Sequence, residues 1–196
     1  MGRDAEILEK ERRVRELIES KGLQGVLLKR QANFSWMTGG GLNLVGITTE
    51  MGATSLFITK GQKYLIANNI EAPRMVQEEG LETQGFIPKI YPWYEDQEAA
   101  VVKDLTQGCP FGSDVPFPGA VNMAEDIARL RYSFTPEEVA RYRWLGEKAS
   151  LALEKTLQET QRGEKESEVV GRLCLELWKD RIDPVTLMAA ADERVS

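Results

Sequence analysis

The stretch ANFSWMTGGGLNLVGIT, residues 32–48, holds the densest glycine cluster of the chain and lies just after an apolar run, GVLL, at residues 25–28. Glycine-rich loops that follow a strand bind phosphate in many nucleotide-binding proteins. The segment GLNLVGIT, residues 41–48, comes close to the pattern G-x-x-x-x-G-K-[ST], but Ile47 stands where the lysine is required. Because that lysine neutralises the β- and γ-phosphates, we expect a glycine turn rather than a nucleotide site.

The composition is that of a globular chain and excludes several kinds of site. The 196 residues are 42% hydrophobic and 29% charged, which suits one large domain or one domain and part of another. The absence of histidine rules out a Ser-His triad, a histidine-bearing zinc site and imidazole acid–base catalysis within this chain. The net charge of −6, with basic residues interleaved among acids, argues against non-specific nucleic-acid binding.

The apolar runs of the sequence are all short. None approaches the roughly 20 residues that span a bilayer, and the chain begins with the charged sequence GRDAEILEKERR rather than a secretory signal. Two cysteines, Cys109 and Cys174, are too few for a disulfide framework. We therefore expect a cytoplasmic protein with no membrane partner.

The first two-thirds of the chain alternates between strand and helix patterns. Apolar residues at helical spacing predict an amphipathic helix over residues 4–21. Predicted strands are GVLLKR, ATSLFIT, KYLIAN, TQGFIPKI and CPFGSDV, and predicted helices are IEAPRMVQEEG and YEDQEAAVVKDLTQG. Because the tight turn KGQ joins ATSLFIT to KYLIAN as a hairpin, the sequence predicts an α/β domain with a mixed sheet flanked by helices.

A different pattern begins near residue 135. Thr135 and Glu138 fit a capping box, with Pro136 in the first turn, and predict a long helix to about residue 161. A second helix, ESEVVGRLCLELWKDRI, and a strand in DPVTLMAAA follow. About 60 residues of this kind offer too little surface for a closed core. We therefore expect one domain over residues 1–134 and the incomplete opening of another over residues 135–196.

Four stretches in the same order resemble the creatinase, prolidase and aminopeptidase P family, the "pita-bread" metallopeptidases. The segment from Asn33 to Gly39 resembles the family's run of Asn, two residues, aromatic, Leu, Thr and Gly. SLFITKGQKYLIA resembles its hairpin, and NNIEAPRM the helix after it. SFTPEEVARYR resembles a segment at the domain junction, with Phe134 in place of a lysine.

The resemblance implies both a fold and a function. It implies a creatinase/prolidase-type N-terminal domain followed by the first two helices and first strand of a truncated pita-bread domain. In the family the C-terminal domain binds two divalent metal ions, commonly Mn, Co or Zn, through two Asp, one His and two Glu, and cleaves Xaa-Pro bonds. None of those ligand motifs falls in this sequence, so we expect the 196-residue chain by itself to be inactive.

The resemblance also implies a homodimer that accepts short proline-containing peptides. In such dimers the N-terminal domain helps to wall the partner subunit's active site. The residues that this predicts for the wall or the dimer contact are Asn33, Trp36, Thr38, Gly39, Asn43 and Val45. Trp36 as a plain core residue is an equal alternative. For the whole protein the alternatives are a metal-free, creatinase-like amidinohydrolase and a catalytically inactive protein-binding relative.

Overall fold

A computed structural model of the chain describes residues 3–46 and 48–195, so Ile47 lies outside the described residues. The chain forms two compact units, Met1–Phe134 and Thr135–Ser196.

The first unit is built on one six-stranded mixed sheet with the strand order β4-β3-β2-β1-β5-β6. The strands are β1 Gly25–Arg30, β2 Met51–Thr59, β3 Lys63–Asn68, β4 Ile87–Tyr91, β5 Phe111–Ser113 and β6 Ala120–Asn122. Strand β2 runs antiparallel to both of its neighbours, whereas the pairs β1/β5, β3/β4 and β5/β6 are parallel. The mixed sheet and the hairpin predicted from the sequence are confirmed.

Helices cover both faces of this sheet. They are α1 Arg3–Ser20, α2 Gln31–Met37, a π-helix Arg74–Glu78, α3 Glu98–Thr106 and α4 Ala124–Leu130. Successive residues of a strand point to opposite faces, so Val26 and Leu28 join the core with α1, α2 and α4, while Leu27 joins a second core with Val102 of α3. The sheet is therefore buried on both sides along β1.

Helix α2 was not predicted from the sequence, which indicated only a strand, GVLLKR, followed by a glycine turn. Strand β1 ends at Arg30, and α2 begins at the next residue. The helix packs Phe34 and Met37, three residues apart and therefore on one face, into the core. Burial of these side chains stabilises a helix that has no side-chain cap at its start. Strand β6 and helix α4 were not expected either, and both follow the loop that contains Pro116 and Pro118.

The second unit contains two long helices, α5 Pro136–Glu159 and α6 Glu166–Lys179, as predicted. The capping box is confirmed: the Thr135 Oγ1 accepts from the Glu138 N–H at 3.3 Å, and the Glu138 Oε2 accepts from the Thr135 N–H at 2.9 Å. The strand expected in residues 183–191 is not formed, and a short 3-10 helix, Asp192–Val195, follows that segment. A strand needs a partner for its backbone groups, and the described part of this unit has none.

Within the described ranges, the chain contains no helix with the length and apolar character needed to cross a membrane.

Candidate functional site

The six predicted site residues lie in and after α2, beyond the carboxyl end of β1. Five of them, Asn33, Trp36, Thr38, Gly39 and Asn43, are buried, and Val45 is 70% exposed. The buried residues fix the shape of the segment, and the exposed residue is presented to solvent. The structure thus separates two roles that the sequence could not distinguish.

Asn33 belongs to a polar network around the buried carboxylate of Asp114, which follows β5. The Asp114 Oδ1 accepts from the Lys29 N–H at 2.8 Å, and its Oδ2 accepts from the Arg30 N–H at 3.0 Å. Asn33 donates its side-chain amide to the same Oδ2 at 2.7 Å and accepts from Arg131, just after α4, at 2.8 Å. The network joins the β1–α2 junction to β5 and to the end of α4. Such charge-assisted bonds are stronger than neutral ones.

Trp36 packs in the core against α1, which agrees with the alternative that it is a core residue. The Lys10 Nζ donates to the Trp36 carbonyl at 2.8 Å and lies 5.4 Å from the centroid of the indole ring. Lys10 also pairs with Glu6 at 2.5 Å, so its charge is balanced inside the unit. Trp36 is 6% exposed and belongs to the same core as Val14 and Ile18 of α1.

Thr38 and the glycines after it form the turn that follows α2. The Thr38 Oγ1 donates to the Phe34 carbonyl at 2.8 Å and accepts from the Gly41 N–H at 3.0 Å. Gly39 and Gly40 have φ angles of 64° and 106°, a region that residues with a Cβ rarely adopt. The glycine cluster thus serves a tight turn, which agrees with the reading of the sequence as a turn.

Asn43 ties the next part of the loop to β2. Its side-chain amide donates to the Thr54 carbonyl at 2.7 Å, and its Oδ1 accepts from the Thr54 N–H at 3.0 Å. A Cβ on Gly52 would overlap the Asn43 Nδ2, so only glycine allows this approach. The loop exposes Leu42, just before Asn43, and Val45, two residues after it.

Further exposed apolar residues lie at the same end of the sheet. Strands β1, β3, β4 and β5 run in one direction, and β2 runs in the opposite one. The carboxyl ends of those four strands therefore lie at the same edge of the sheet as the start of β2. Met51 begins β2, Ile70 follows β3, and Trp93 and Tyr94 follow β4; all four side chains are exposed. With Leu42 and Val45 they form what we call the apolar rim. Ligands of open α/β sheets bind at this end of the strands.

One titrating group near the rim is perturbed. Burial raises the pKa of Tyr91, at the end of β4, to about 12, and the negative charges of Glu98 and Asp96 contribute. A tyrosine with this pKa stays neutral over the physiological range. It can donate or accept a hydrogen bond but does not serve as a base near neutral pH.

The family model of the creatinase/prolidase N-terminal domain matches residues 11–114, more than half of the chain. The chain belongs to the creatinase/prolidase family. This family segment contains five of the six strands and all six predicted site residues. Comparison with curated protein sequences gives no match.

Solved structures share the fold of this creatinase/prolidase chain at low sequence identity. An Xaa-Pro dipeptidase from Bacillus anthracis matches with 21% identity and a TM-score of 0.64, over 89% of this chain and 49% of its own. A prolidase from Pyrococcus horikoshii matches with 17% identity and a TM-score of 0.66, over 88% and 49%. An X-Pro aminopeptidase from Thermotoga maritima matches with 15% identity and a TM-score of 0.63, over 87% and 49%. The chain spans about half the length of these structures.

The candidate metal ligands of this creatinase/prolidase chain are cysteine, aspartate and glutamate side chains, since its sequence has no histidine. Among residues 3–46 and 48–195, no three His, Cys, Asp or Glu side chains are grouped as a metal site requires. The described residues therefore do not provide the ligand set that the family resemblance implies.

Several residues that shape the site were not predicted from the sequence of this creatinase/prolidase domain. Asp114 and Arg131 lie far from residues 33–45 along the chain and reach them only through the fold, whereas Thr54 is 11 residues after its partner Asn43. Asp114 does carry a signal, because a lone carboxylate directly after an apolar strand needs partners when it is buried. Nothing in the sequence indicates that Thr54 pairs with Asn43.

Proposed function

We propose that this chain is the N-terminal, non-catalytic portion of a cytoplasmic Xaa-Pro dipeptidase or aminopeptidase, a hydrolase of proline-containing peptides. The observation that carries the proposal is the family match over residues 11–114, together with a fold shared with Xaa-Pro peptidases over about half of their length. In this proposal the catalytic residues belong to the rest of a longer protein. The 196-residue chain by itself is then inactive.

Two divalent metal ions, Mn, Co or Zn, are part of the same proposal. The proposal assigns none of their ligands to the described residues, because the chain has no histidine and those residues contain no suitable cluster. When bound, such ions supply a Lewis acid and an activated water for amide hydrolysis. What this chain contributes is shape and binding surface.

The proposal also includes a homodimer in which the segment of residues 33–45 forms or supports a wall of the partner subunit's active site. Buried Asn33, Thr38 and Asn43 hold the loop, and Val45 is presented at its tip. Exposed apolar side chains grouped at one end of a sheet are typical of binding surfaces. The apolar rim supports a contact with a partner or a peptide at this end.

The peptidase assignment is tested with the full-length protein and two matched dipeptides, Ala-Pro and Ala-Leu, in the presence of Mn²⁺. The proposal predicts hydrolysis of Ala-Pro, much slower hydrolysis of Ala-Leu and loss of activity with a chelator. Equal turnover of both dipeptides contradicts it. No turnover of either dipeptide favours the amidinohydrolase or the inactive binding relative. Turnover of Ala-Pro that resists the chelator contradicts the metal-dependent mechanism.

The wall is tested by Val45→Asp in the same protein, with Val121→Asp as the matched control on exposed strand β6. A charge placed in an apolar contact is desolvated without a partner, so we expect Val45→Asp to raise KM for Ala-Pro or to weaken the dimer in sedimentation velocity. Val121→Asp leaves both unchanged. If Val45→Asp also changes neither quantity, the loop is not part of a wall.

A further inference from the structure

Helix α1 binds the chain at the point where it leaves the first unit. The Arg13 Nη1 donates to the Leu130 carbonyl at 3.2 Å and to the Ser133 carbonyl at 2.6 Å. Leu130 is the last residue of α4, and the second unit begins at Thr135. We call residues 131–134 the connection. One guanidinium therefore binds both the end of α4 and the connection that follows it.

Arg13 is well placed for this contact because the carbonyls at the end of a helix lack partners. The last four carbonyls of a helix have no donor within it, and a cation near them is stabilised by the helix dipole. Arg13 is itself held, since its Nε donates to the Glu9 Oε1 at 2.8 Å and its side chain is 17% exposed. A charged donor that is mostly removed from water binds more strongly than an exposed one.

A second arginine ties the connection to α2. The Arg131 Nη1 donates to the Asn33 Oδ1 at 2.8 Å, and the Asn33 amide in turn donates to the Asp114 carboxylate. The connection is therefore bound to the polar network at the β1–α2 junction as well as to α1. We call Arg13 and Arg131 the latch.

Apolar burial does not hold the middle of the connection. Tyr132 is 75% exposed, and Ser133 is exposed as well. From Thr135 onwards the chain is ordered by its own capping box with Glu138. A segment with few buried apolar contacts opens at a low free-energy cost unless polar contacts hold it. The order of the connection therefore depends on the latch.

We propose that the latch keeps the connection rigid with the first unit, so that any movement of the second unit pivots between Ser133 and Thr135. The latch is then a conformational device that sets how much free chain separates the two units. Opening it frees the chain from the end of α4 onwards. A longer free connection lowers the effective concentration of one linked unit at the other. The inference does not depend on the proposed peptidase function.

Limited proteolysis of the 196-residue chain with chymotrypsin tests the latch, because Tyr132 is an exposed chymotrypsin site within the connection. The cleavage rate follows the population of the open form when opening and closing are faster than cleavage. Arg13→Gln and Arg131→Gln each remove a charged donor and leave the chymotrypsin sites unchanged, so cleavage after Tyr132 becomes about tenfold faster. Hydrogen exchange of the Tyr132 amide, which donates to the Arg129 carbonyl at 3.2 Å, becomes faster as well.

Arg12→Gln is the matched control, because Arg12 is the neighbouring residue of α1 and pairs with Glu9 and Glu16 of the same helix. Its cleavage and exchange rates stay within about twofold of those of the wild type. Equal rates in the Arg13→Gln, Arg12→Gln and wild-type chains overturn the inference. Faster cleavage throughout the first unit of Arg13→Gln also overturns it, since Arg13 then supports the whole unit rather than the connection. An effect of Arg13→Gln without one of Arg131→Gln does the same, because the latch needs both contacts.

Discussion

The side chain of Asn43 pairs with the backbone of Thr54 in the way that a neighbouring strand would. Its amide donates to the Thr54 carbonyl at 2.7 Å, while its Oδ1 accepts from the Thr54 N–H at 3.0 Å and from the Thr54 hydroxyl at 3.1 Å. Both residues are buried, so these bonds form away from water. One asparagine thereby replaces strand pairing at the start of β2 and connects the exposed loop to the sheet.

Replacement of Asn43 by alanine leaves the polar groups of Thr54 buried without these partners. We expect the free energy of unfolding to fall by about 1–3 kcal/mol, the usual effect of an unsatisfied buried group. Urea denaturation followed by circular dichroism measures it. Asn122→Ala is the matched control, because Asn122 is exposed and accepts one bond from the Ala124 N–H. Equal losses in the two variants would contradict a special role of Asn43.

Replacement of Asp114 by asparagine removes one carboxylate oxygen from a site that faces the N–H donors of Lys29, Arg30 and Asn33. Bonds to a charged acceptor are worth more than neutral ones, so we expect a loss of about 2 kcal/mol in the free energy of unfolding. Asp126→Asn is the control, since Asp126 makes a partly exposed ion pair with Lys21 at 3.1 Å and its change should be below about 1 kcal/mol. A loss at Asp114 no larger than at Asp126 falsifies the network as a structural anchor.

Gly40 and Gly61 both have open space where a Cβ would stand. Replacing each by alanine therefore measures the effect of backbone conformation on stability without any steric crowding. Gly40 has a φ of 106°, whereas Gly61 does not have a positive φ, and a Cβ on either meets no atom within 4 Å. We expect Gly40→Ala to lower stability by about 1–2 kcal/mol through backbone strain, and Gly61→Ala to have little effect. Thermal unfolding of both variants measures the difference, and equal melting temperatures would show that the turn relaxes at no cost.

The raised pKa of Tyr91 predicts a loss of stability at alkaline pH. In the unfolded chain a tyrosine loses its proton near its ordinary pKa of 10, whereas burial holds Tyr91 neutral to about 12 in the folded state. Between pH 10 and about pH 12 the folded state binds more protons than the unfolded state, so the free energy of unfolding falls as the pH rises. Tyr91→Phe removes this contribution, and its stability should fall less steeply over the same interval in urea titrations. Identical pH profiles would mean that Tyr91 ionises as freely as in the unfolded chain.

The sheet was predictable because its signals are local. Alternating and continuous apolar runs identify β1, β2 and β3, and the turn residues between Thr59 and Lys63 identify the hairpin. The capping box of Thr135 and Glu138 likewise predicts where α5 begins. Each of these elements depends on residues within a few positions of one another.

The parts that escaped prediction depend on contacts distant in sequence. Helix α2 contains Phe34 and Trp36, which are modest helix formers, and it is stabilised by burial in the core. The strand expected in residues 183–191 has the right composition but no partner within the described second unit. Asp114, after β5, accepts from Asn33 of α2, and Arg74 of the π-helix donates to Leu42 in the loop after α2; no spacing in the sequence encodes either contact.

The most direct test of the central claim compares the 196-residue chain with the full-length protein on Ala-Pro, at equal molar concentration and with Mn²⁺ present. If the chain is the non-catalytic N-terminal portion of an Xaa-Pro peptidase, the full-length protein releases proline and the chain alone releases none. Release of proline by the chain alone, or by neither protein, would contradict the account.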